Sequence, residues 1–442
     1  MKKRLFIILL SAIMVTSLAA CQKNEQQTET TATAAATADD SETAHFVAPV
    51  VATNSQGDLP GLPDTGEVIA KANVTSNGAI DASGIFTDRD LKQSVDTEGA
   101  VAYTLSDNSN ITINAEGVYI ISGSASDASI IVEAGDSDKV QIVLNGVSIN
   151  NTSAPAIYVK SADKVFVTTV SGTESTLNAT GTFSADGETN TDAVIFSKDD
   201  LVLNGLGTLN INSTDNGVSC KDDLKITGGT ININATSDAI EANDSIAIDD
   251  GTINLDSSKD GLHAENDEDN STGYIYICGG TFSINAASDG IQATTVAQID
   301  GGTINITASE GIEGTFVQIN GGSVNVNASD DGINGSNKSS AYTPTIEING
   351  GDVTVNMGQG DTDALDVNGN LYINGGNINI TAQSPFDYDG EGKLNGGTVT
   401  VNGSQVTQLT NQMMGGGMGG MRGGMGGFGQ NGGMNQMPGG GF

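Results

Sequence analysis

Apolar and polar residues alternate in short bursts through the second half of the chain, as in Thr303-Ile304-Asn305-Ile306 and Ser323-Val324-Asn325-Val326. A period of two marks a strand that buries one face. Each burst follows a Gly-Gly-like turn, whose second residue falls at Gly207, Gly229, Gly251, Gly280, Gly302, Gly322, Gly351, Gly376 and Gly397. The intervals are 22, 22, 29, 22, 20, 29, 25 and 21 residues. A helical repeat would need apolar residues at helical spacing and far fewer glycines. Leucine-rich repeats share the period but need leucines that are missing here, and the Gly-Gly-x-Gly-x-Asp nonapeptide of calcium rolls is absent. The pattern predicts an all-β fold: a parallel β-helix solenoid, one coil per roughly 22 residues, with Ile, Val and Leu stacked inward. Asn320, Asn349, Asn374 and Asn395, each directly before Gly-Gly, are expected to form a ladder at one corner, because Asn and Gly tolerate the left-handed backbone such corners need. The longer intervals read as loops inserted at a corner, such as residues 263–274.

A carboxylate returns once per coil. Nine residues past the marker glycines stand Asn216, Asp238, Asp260, Asp289 and Asp331; eight past Gly302 stands Glu310, and longer spacings reach Asp363 and Asp387. Three residues further on come Glu241, His263, Gln292, Glu313, Asn334 and Asp366, a second and mixed row across the same bend. Stacked coils set neighbours about 4.8 Å apart, where two like charges at an effective dielectric near 20 repel by about 3–4 kcal/mol. The charges must fan into water, take up protons, or share a cation. Oxygen-only ligands suit calcium, which accepts six to eight of them. Asp238, Glu241, Asp260, Asp289, Glu310, Glu313, Asp331, Asp363 and Asp366 are the candidate ligands. The alternative is that Asp and Asn merely cap turns, which they favour without any metal.

Charge narrows the choice of partner. Against 54 acidic side chains stand 17 basic ones, a net of −37 over 442 residues. Nucleic acid and anionic lipid head groups need a basic surface and are excluded. Cations, or polymers held through cations, fit better. The 59 glycines and the absence of Trp also favour turn-rich β structure over an ordinary α/β enzyme.

The ends differ from the repeat. Residues 1–20 carry Lys2, Lys3 and Arg4 ahead of an apolar run of signal-peptide length. Leu18-Ala19-Ala20-Cys21 resembles a bacterial lipobox, which implies cleavage before Cys21 and a diacylglycerol on its sulfur, hence an extracellular protein anchored to the cell membrane by lipid alone. An ordinary secretory signal with an incidental cysteine is the alternative. Residues 21–64 are Thr, Ala, Gln and acid, too poor in large apolar groups to offset their ordering entropy, and read as a flexible linker. The β-helix is assigned to 65–412. Residues 413–442 hold 15 Gly and 7 Met and read as a disordered tail. Cys220 and Cys278 fall at different points of the repeat, more than two coils apart, too far for a disulfide, and read as packing residues.

Several phrases resemble a known family: Phe86-Thr87-Asp88-Arg89-Asp90-Leu91, Val140-Gln141-Ile142-Val143-Leu144-Asn145-Gly146-Val147, Ala156-Ile157-Tyr158-Val159, Lys198-Asp199-Asp200-Leu201, Lys221-Asp222-Asp223-Leu224 and Lys259-Asp260-Gly261-Leu262. Together they look like the clostridial-type carbohydrate-binding β-helix lipoproteins, relatives in fold of calcium-dependent pectate lyases. The resemblance implies a right-handed parallel β-helix, calcium as cofactor, and binding to cellulose or acidic polysaccharide without established catalysis.

Catalysis must still be weighed on residues, since this fold hosts both lyases and hydrolases. The Gly-His-Gly and basic pair of galacturonan hydrolases are missing; the two histidines are His45, in the linker, and His263. The paired acids Asp199-Asp200 and Asp222-Asp223 read as solvated turn residues. A lyase would use calcium to acidify the α-proton of a uronate and a Lys or Arg of lowered pKa to remove it. Lys259, beside Asp260, is the candidate base, opposed by the acids around it, which hold a lysine protonated. For binding, the outward Thr303, Asn305, Ser323, Asn325, Thr354 and Asn356 present a ladder of short donors and acceptors to a sugar chain. A chain without Trp lacks the aromatic platform that crystalline cellulose calls for, so acidic or soluble polysaccharide is favoured. A structural or adhesive surface protein remains the third reading.

Overall fold

A computed structural model describes residues 79–411, except 267, 270, 360 and 361. The leader, Cys21, the linker, residues 65–78 and the tail from 412 onward lie outside the described residues. The described chain forms 34 strands linked in one sheet, with parallel neighbours throughout except at its C-terminal end. It is a parallel β-helix with three faces. One face stacks strands such as Asp223–Ile226, Ser245–Ile248 and Tyr274–Ile277. A second stacks the Thr-Ile-Asn-Ile type, such as Thr230–Ala235, Thr252–Ser257 and Thr281–Ala286. The third carries short strands such as Ile240–Ala242 and Leu262–Ala264.

The register follows the sequence period. Ile226, Ile248, Ile277, Ile299, Ile319, Ile348, Ile373 and Leu394 are partners in successive coils, and the first seven are buried. On the second face Ile231, Ile253, Phe282, Ile304, Val324 and Val353 do the same. Each such side chain contributes roughly 1.5–3 kcal/mol on leaving water, so the stack of coils is its own core. At the corner between these two faces the marker glycines from Gly229 to Gly397 hold φ between +77° and +133°, a backbone that L side chains rarely adopt. The predicted Asn ladder stands beside them. Nδ2 of Asn349 donates to Oδ1 of Asn320 at 2.8 Å, Asn374 to Asn349 at 2.8 Å, and Asn395 to Asn374 at 2.7 Å.

Two features had no periodic signal. The coils begin well before Gly207, with Val101–Thr104 paired to Tyr119 and its neighbours; these early coils lack the Gly-Gly corner. Residues 79–93, ahead of them, run as a strap along the outside of the first face. The backbone N–H groups of Ala79 and Ile80 donate to Gln318 and Gln298 at 2.8 Å, and Phe86 packs on Tyr276. Gln93 bridges Gly205 and Thr227. Asp90, fully buried, lies 3.6 Å from Lys164 and 3.5 Å from Lys225. At the far end the hairpin Thr398–Val401/Ser404–Val406 turns back antiparallel, and Val406 and Leu409 pack on the last coils. That covers the outer edge of Thr398–Val401, the last strand of the second face, on which another chain could pair. Cys220 and Cys278 are free and buried on different faces, as packing residues should be.

Candidate functional site

The acid column runs up the edge of the third face. Its recurrence has a backbone cause. Oδ1 of Asn216 accepts the N–H of Asp238 at 2.9 Å, Oδ1 of Asp238 that of Asp260 at 2.9 Å, and Oδ1 of Asp260 that of Asp289 at 2.9 Å. Asp331 repeats this toward Asp363 at 3.3 Å. A short side chain with an acceptor oxygen therefore satisfies the next coil's N–H at Asn216, Asp238, Asp260 and Asp331, whereas the N–H of Glu310 donates to the Ser288 carbonyl. The glycine that follows is fixed by crowding. A Cβ on Gly290 would sit 2.3 Å from Ile306 and 2.6 Å from the Gly311 carbonyl, and one on Gly311 2.3 Å from both Val326 and the Gly332 carbonyl. The acid–Gly–Ile phrase is thus an acceptor, a gap and a core residue.

The second row stacks as expected: Glu241, His263, Gln292, Glu313, Asn334 and Asp366 are successive register partners. One assignment changes. Asp363 pairs with Ser384, and Asp387 pairs with Asp366, so Asp387 belongs to the second row and Ser384 ends the column. Ser384 stands at the ordinary spacing from Gly376, as Glu310 does from Gly302, but it is not an acid, so a search for the next carboxylate runs past it to Asp387.

Electrostatics divides the column into stretches. In the early coils the charge is met internally. Lys259 Nζ lies 3.5 Å from Asp238, Lys221 Nζ lies 3.1 Å from Glu241, and His263 Nδ1 stands 3.5 Å from both Asp238 and Asp260. Burial opposes a charge on His263, but Asp238, Asp260 and Glu265 outweigh it and raise its pKa to about 9. Burial would likewise raise Asp238, yet His263 and the Asp260 amide hold it below the usual carboxylate range. Lys259 is raised, first by Asp238, so it stands protonated and unsuited to proton abstraction.

The later coils have fewer such cations. Asp289, Glu310 and Glu313 bring carboxylate oxygens within 4.8 Å of one another. Burial first, then Asp260, Glu310 and Glu313, pushes Asp289 up to about 8. Lys338, 2.7 Å from Glu313, is the one ion-pair partner of this group among the described residues. Further along, burial and then Asp366 raise Asp331 to about 7, and burial and then Asp387 raise Asp366 to about 6. All donors here are oxygens, and the carboxylates outnumber their counter-charges, which fits a hard divalent cation.

A third cluster was read as solvated and is not. Asp200, Asp222 and Asp223 also bring their oxygens within 4.8 Å, all half-buried, with Lys164 3.2 Å from Asp200. Burial and then Asp200 raise Asp222 to about 6. The signal was the Lys-Asp-Asp-Leu phrase recurring in register, Leu201 opposite Leu224.

The second face presents the polar ladder. A shallow groove of about 650 Å3 crosses several coils between Glu174 and Asn285. Along its floor Asn232 donates to Asn210 and Asn254 to Asn232, each at 2.8 Å, while Asn210 donates to Glu174 at 2.6 Å. Asn210 and Asn232 each spend one donor and one acceptor on the ladder and keep the others for a ligand. No lysine or arginine lines the groove.

A curated relative from Acetivibrio thermocellus, described as a carbohydrate-binding domain-containing protein, is 32% identical over 170 residues; the match takes in 36% of this chain and 59% of the relative's length. A solved structure, that of the polysaccharide lyase-like protein from C. thermocellum as a gadolinium derivative, shares 28% identity over 48% of this chain and 93% of its own, with a TM-score of 0.46. The family model described as carbohydrate-binding domain-containing protein matches residues 107–364 and 308–413, most of the described coils. The chain belongs to that carbohydrate-binding domain family.

Proposed function

We propose that the chain binds an acidic polysaccharide, such as polygalacturonate, through calcium held at its carboxylate column, and does not cleave it. Asp289, Glu310 and Glu313 would form the first such site, with Asp331, Asp363 and Asp366 continuing it. The observation that carries this reading is the three-carboxylate cluster, buried and short of counter-charge. Calcium there would supply the positive charge that a surface of net −37 lacks toward a polyanion. The absence of cleavage rests on Lys259, whose protonation by Asp238 removes the candidate base. Attachment to the outer side of a bacterial membrane through Cys21 completes the proposal.

The groove on the second face favours one further reading, a neutral chain such as a soluble β-glucan lying along the amide ladder, since its lining has no cation to meet a uronate. One experiment separates these. The full chain is mixed with polygalacturonate or with a neutral glucan, with calcium and with chelator, and both retention and the ultraviolet absorbance of unsaturated uronate are recorded. Calcium-dependent retention of the polyuronate with flat absorbance is expected. Rising absorbance that Lys259→Ala abolishes would make the protein a lyase. Calcium-independent retention of the neutral glucan alone would move binding to the groove.

A further inference from the structure

We propose that Asp238, Asp260 and His263 form a site for a zinc-class divalent transition metal, distinct from the oxygen-only clusters of the later coils. Three features of these residues point there together. First, the geometry is that of an open ligand set. His263 Nδ1 stands 3.5 Å from Oδ2 of Asp238 and 3.5 Å from Oδ2 of Asp260. Those separations are long for hydrogen bonds, and Nδ1 is buried with no hydrogen-bond partner. They match the edges of a tetrahedron, about 3.4 Å when metal–ligand bonds are about 2.0–2.2 Å.

Second, the donors are fixed in place. Asp238 and Asp260 are 3% and 5% exposed. Their other oxygens are each held by a backbone N–H at 2.9 Å, from Asp260 and Asp289, so Oδ2 is the atom turned toward His263 in both, with Lys259 donating to that of Asp238 at 3.5 Å. Third, the far side of the imidazole has the partner that metal-bound histidines use. Nε2 lies 3.1 Å from both Glu265 Oε2 and the Gln292 side-chain amide; with its proton donated to Glu265 and that amide turned to present its oxygen, Nδ1 is left to the metal.

The chemistry selects the class of ion. One imidazole and two carboxylates make a mixed nitrogen–oxygen set that suits zinc and its neighbours, whereas calcium gathers six to eight oxygens. The competitors are the proton that Asp238 and Asp260 favour on His263, which the metal must displace, and Lys259, 3.5 Å from Asp238 Oδ2, whose side chain is 59% exposed and free to turn into solvent.

The test uses the full chain without a histidine tag, stripped by chelator and then supplied with excess calcium to fill oxygen-only sites. Zinc chloride alone is titrated calorimetrically, and cobalt(II) serves as a spectroscopic reporter. The main variant is His263→Gln, because Gln292 occupies the same row one coil later and the ladder accepts it. Wild type should bind one zinc per chain and give the intense visible spectrum of four-coordinate cobalt. His263→Gln should lose both while keeping its calcium response. Glu265→Gln should weaken zinc by about 10–100-fold, and Lys259→Ala should tighten it. Equal zinc isotherms for wild type and His263→Gln would overturn the proposal, as would a weak six-coordinate cobalt spectrum. Loss of zinc in Asp289→Asn with retention in His263→Gln would instead place the metal in the oxygen-only column and overturn it too.

Discussion

Replacing Asp289 by asparagine should stabilise the metal-free protein and reduce what calcium can add. In an unfolded chain this carboxyl has an ordinary pKa near 3.8, but in the fold it is pushed up to about 8, by burial first and then by Asp260, Glu310 and Glu313. A group raised on folding contributes stability that is fully present below 3.8 and lost as pH rises through 8. At pH 7 without metal, folding must take up a proton here. Each pH unit above the unfolded pKa costs about 1.4 kcal/mol, so the penalty reaches roughly 4 kcal/mol. Asparagine resembles the protonated carboxyl and takes up nothing. The gain should be about 2–4 kcal/mol at pH 7, fall to about 1–2 kcal/mol at pH 5, and vanish near pH 4.

Calcium changes the ordering. A divalent ion displaces the proton and gains a charged ligand in wild type but only a neutral one in the variant. Urea unfolding of the full chain at pH 5 and pH 7, in chelator and in calcium, reads all four corners of this cycle. The calcium-induced rise in midpoint should be larger for wild type than for Asp289→Asn. A variant less stable than wild type in chelator at pH 7 would refute the charge argument. So would a gain that is the same at pH 5 and pH 7, since only a titrating penalty depends on pH.

Two further outcomes test the scaffold. Asp90→Ala leaves Lys164 and Lys225 facing an empty buried site, which should cost about 3–5 kcal/mol; limited proteolysis should then cut within residues 79–100 before the coils, and unchanged resistance would mean the strap is held by its other contacts. Asn349→Ala removes two side-chain hydrogen bonds of the corner ladder, to Asn320 and from Asn374, and should cost roughly 1–3 kcal/mol by denaturant midpoint; a neutral result would mean that water replaces the ladder.

The repeat was legible because it is local. Period-two alternation and Gly-Gly turns report on residues a few positions apart, and the partners Ile226 to Leu394 follow the spacing of the marker glycines. The early coils hid because their corners use other residues and one coil is long: Leu203 follows Val167 in register only after a loop that carries Ser184 and Asp186. The strap hid for a different reason. Its partners lie far away in sequence, Gln318 for Ala79 and Thr227 for Gln93, and no periodicity encodes such contacts. In the site, both rows were legible but their chemistry was not. Position along the coil says that a carboxylate is present; it does not say whether a lysine from the next coil lies beside it.

That missing distinction bears on function. The backbone N–H explains why an acceptor oxygen recurs, and asparagine would serve equally, as Asn216 does toward Asp238. A charged acid is therefore not required by the ladder. Where Asp238 and Asp260 carry charge, His263 and Lys259 stand opposite to meet it. Where Asp289, Glu310 and Glu313 carry it, Lys338 alone does among the described residues. Keeping three close acids against one lysine works against stability at neutral pH, by kilocalories in the case of Asp289. Calcium bound there, as proposed, would offset that cost, and the comparison of chelator with calcium in the Asp289→Asn cycle measures by how much.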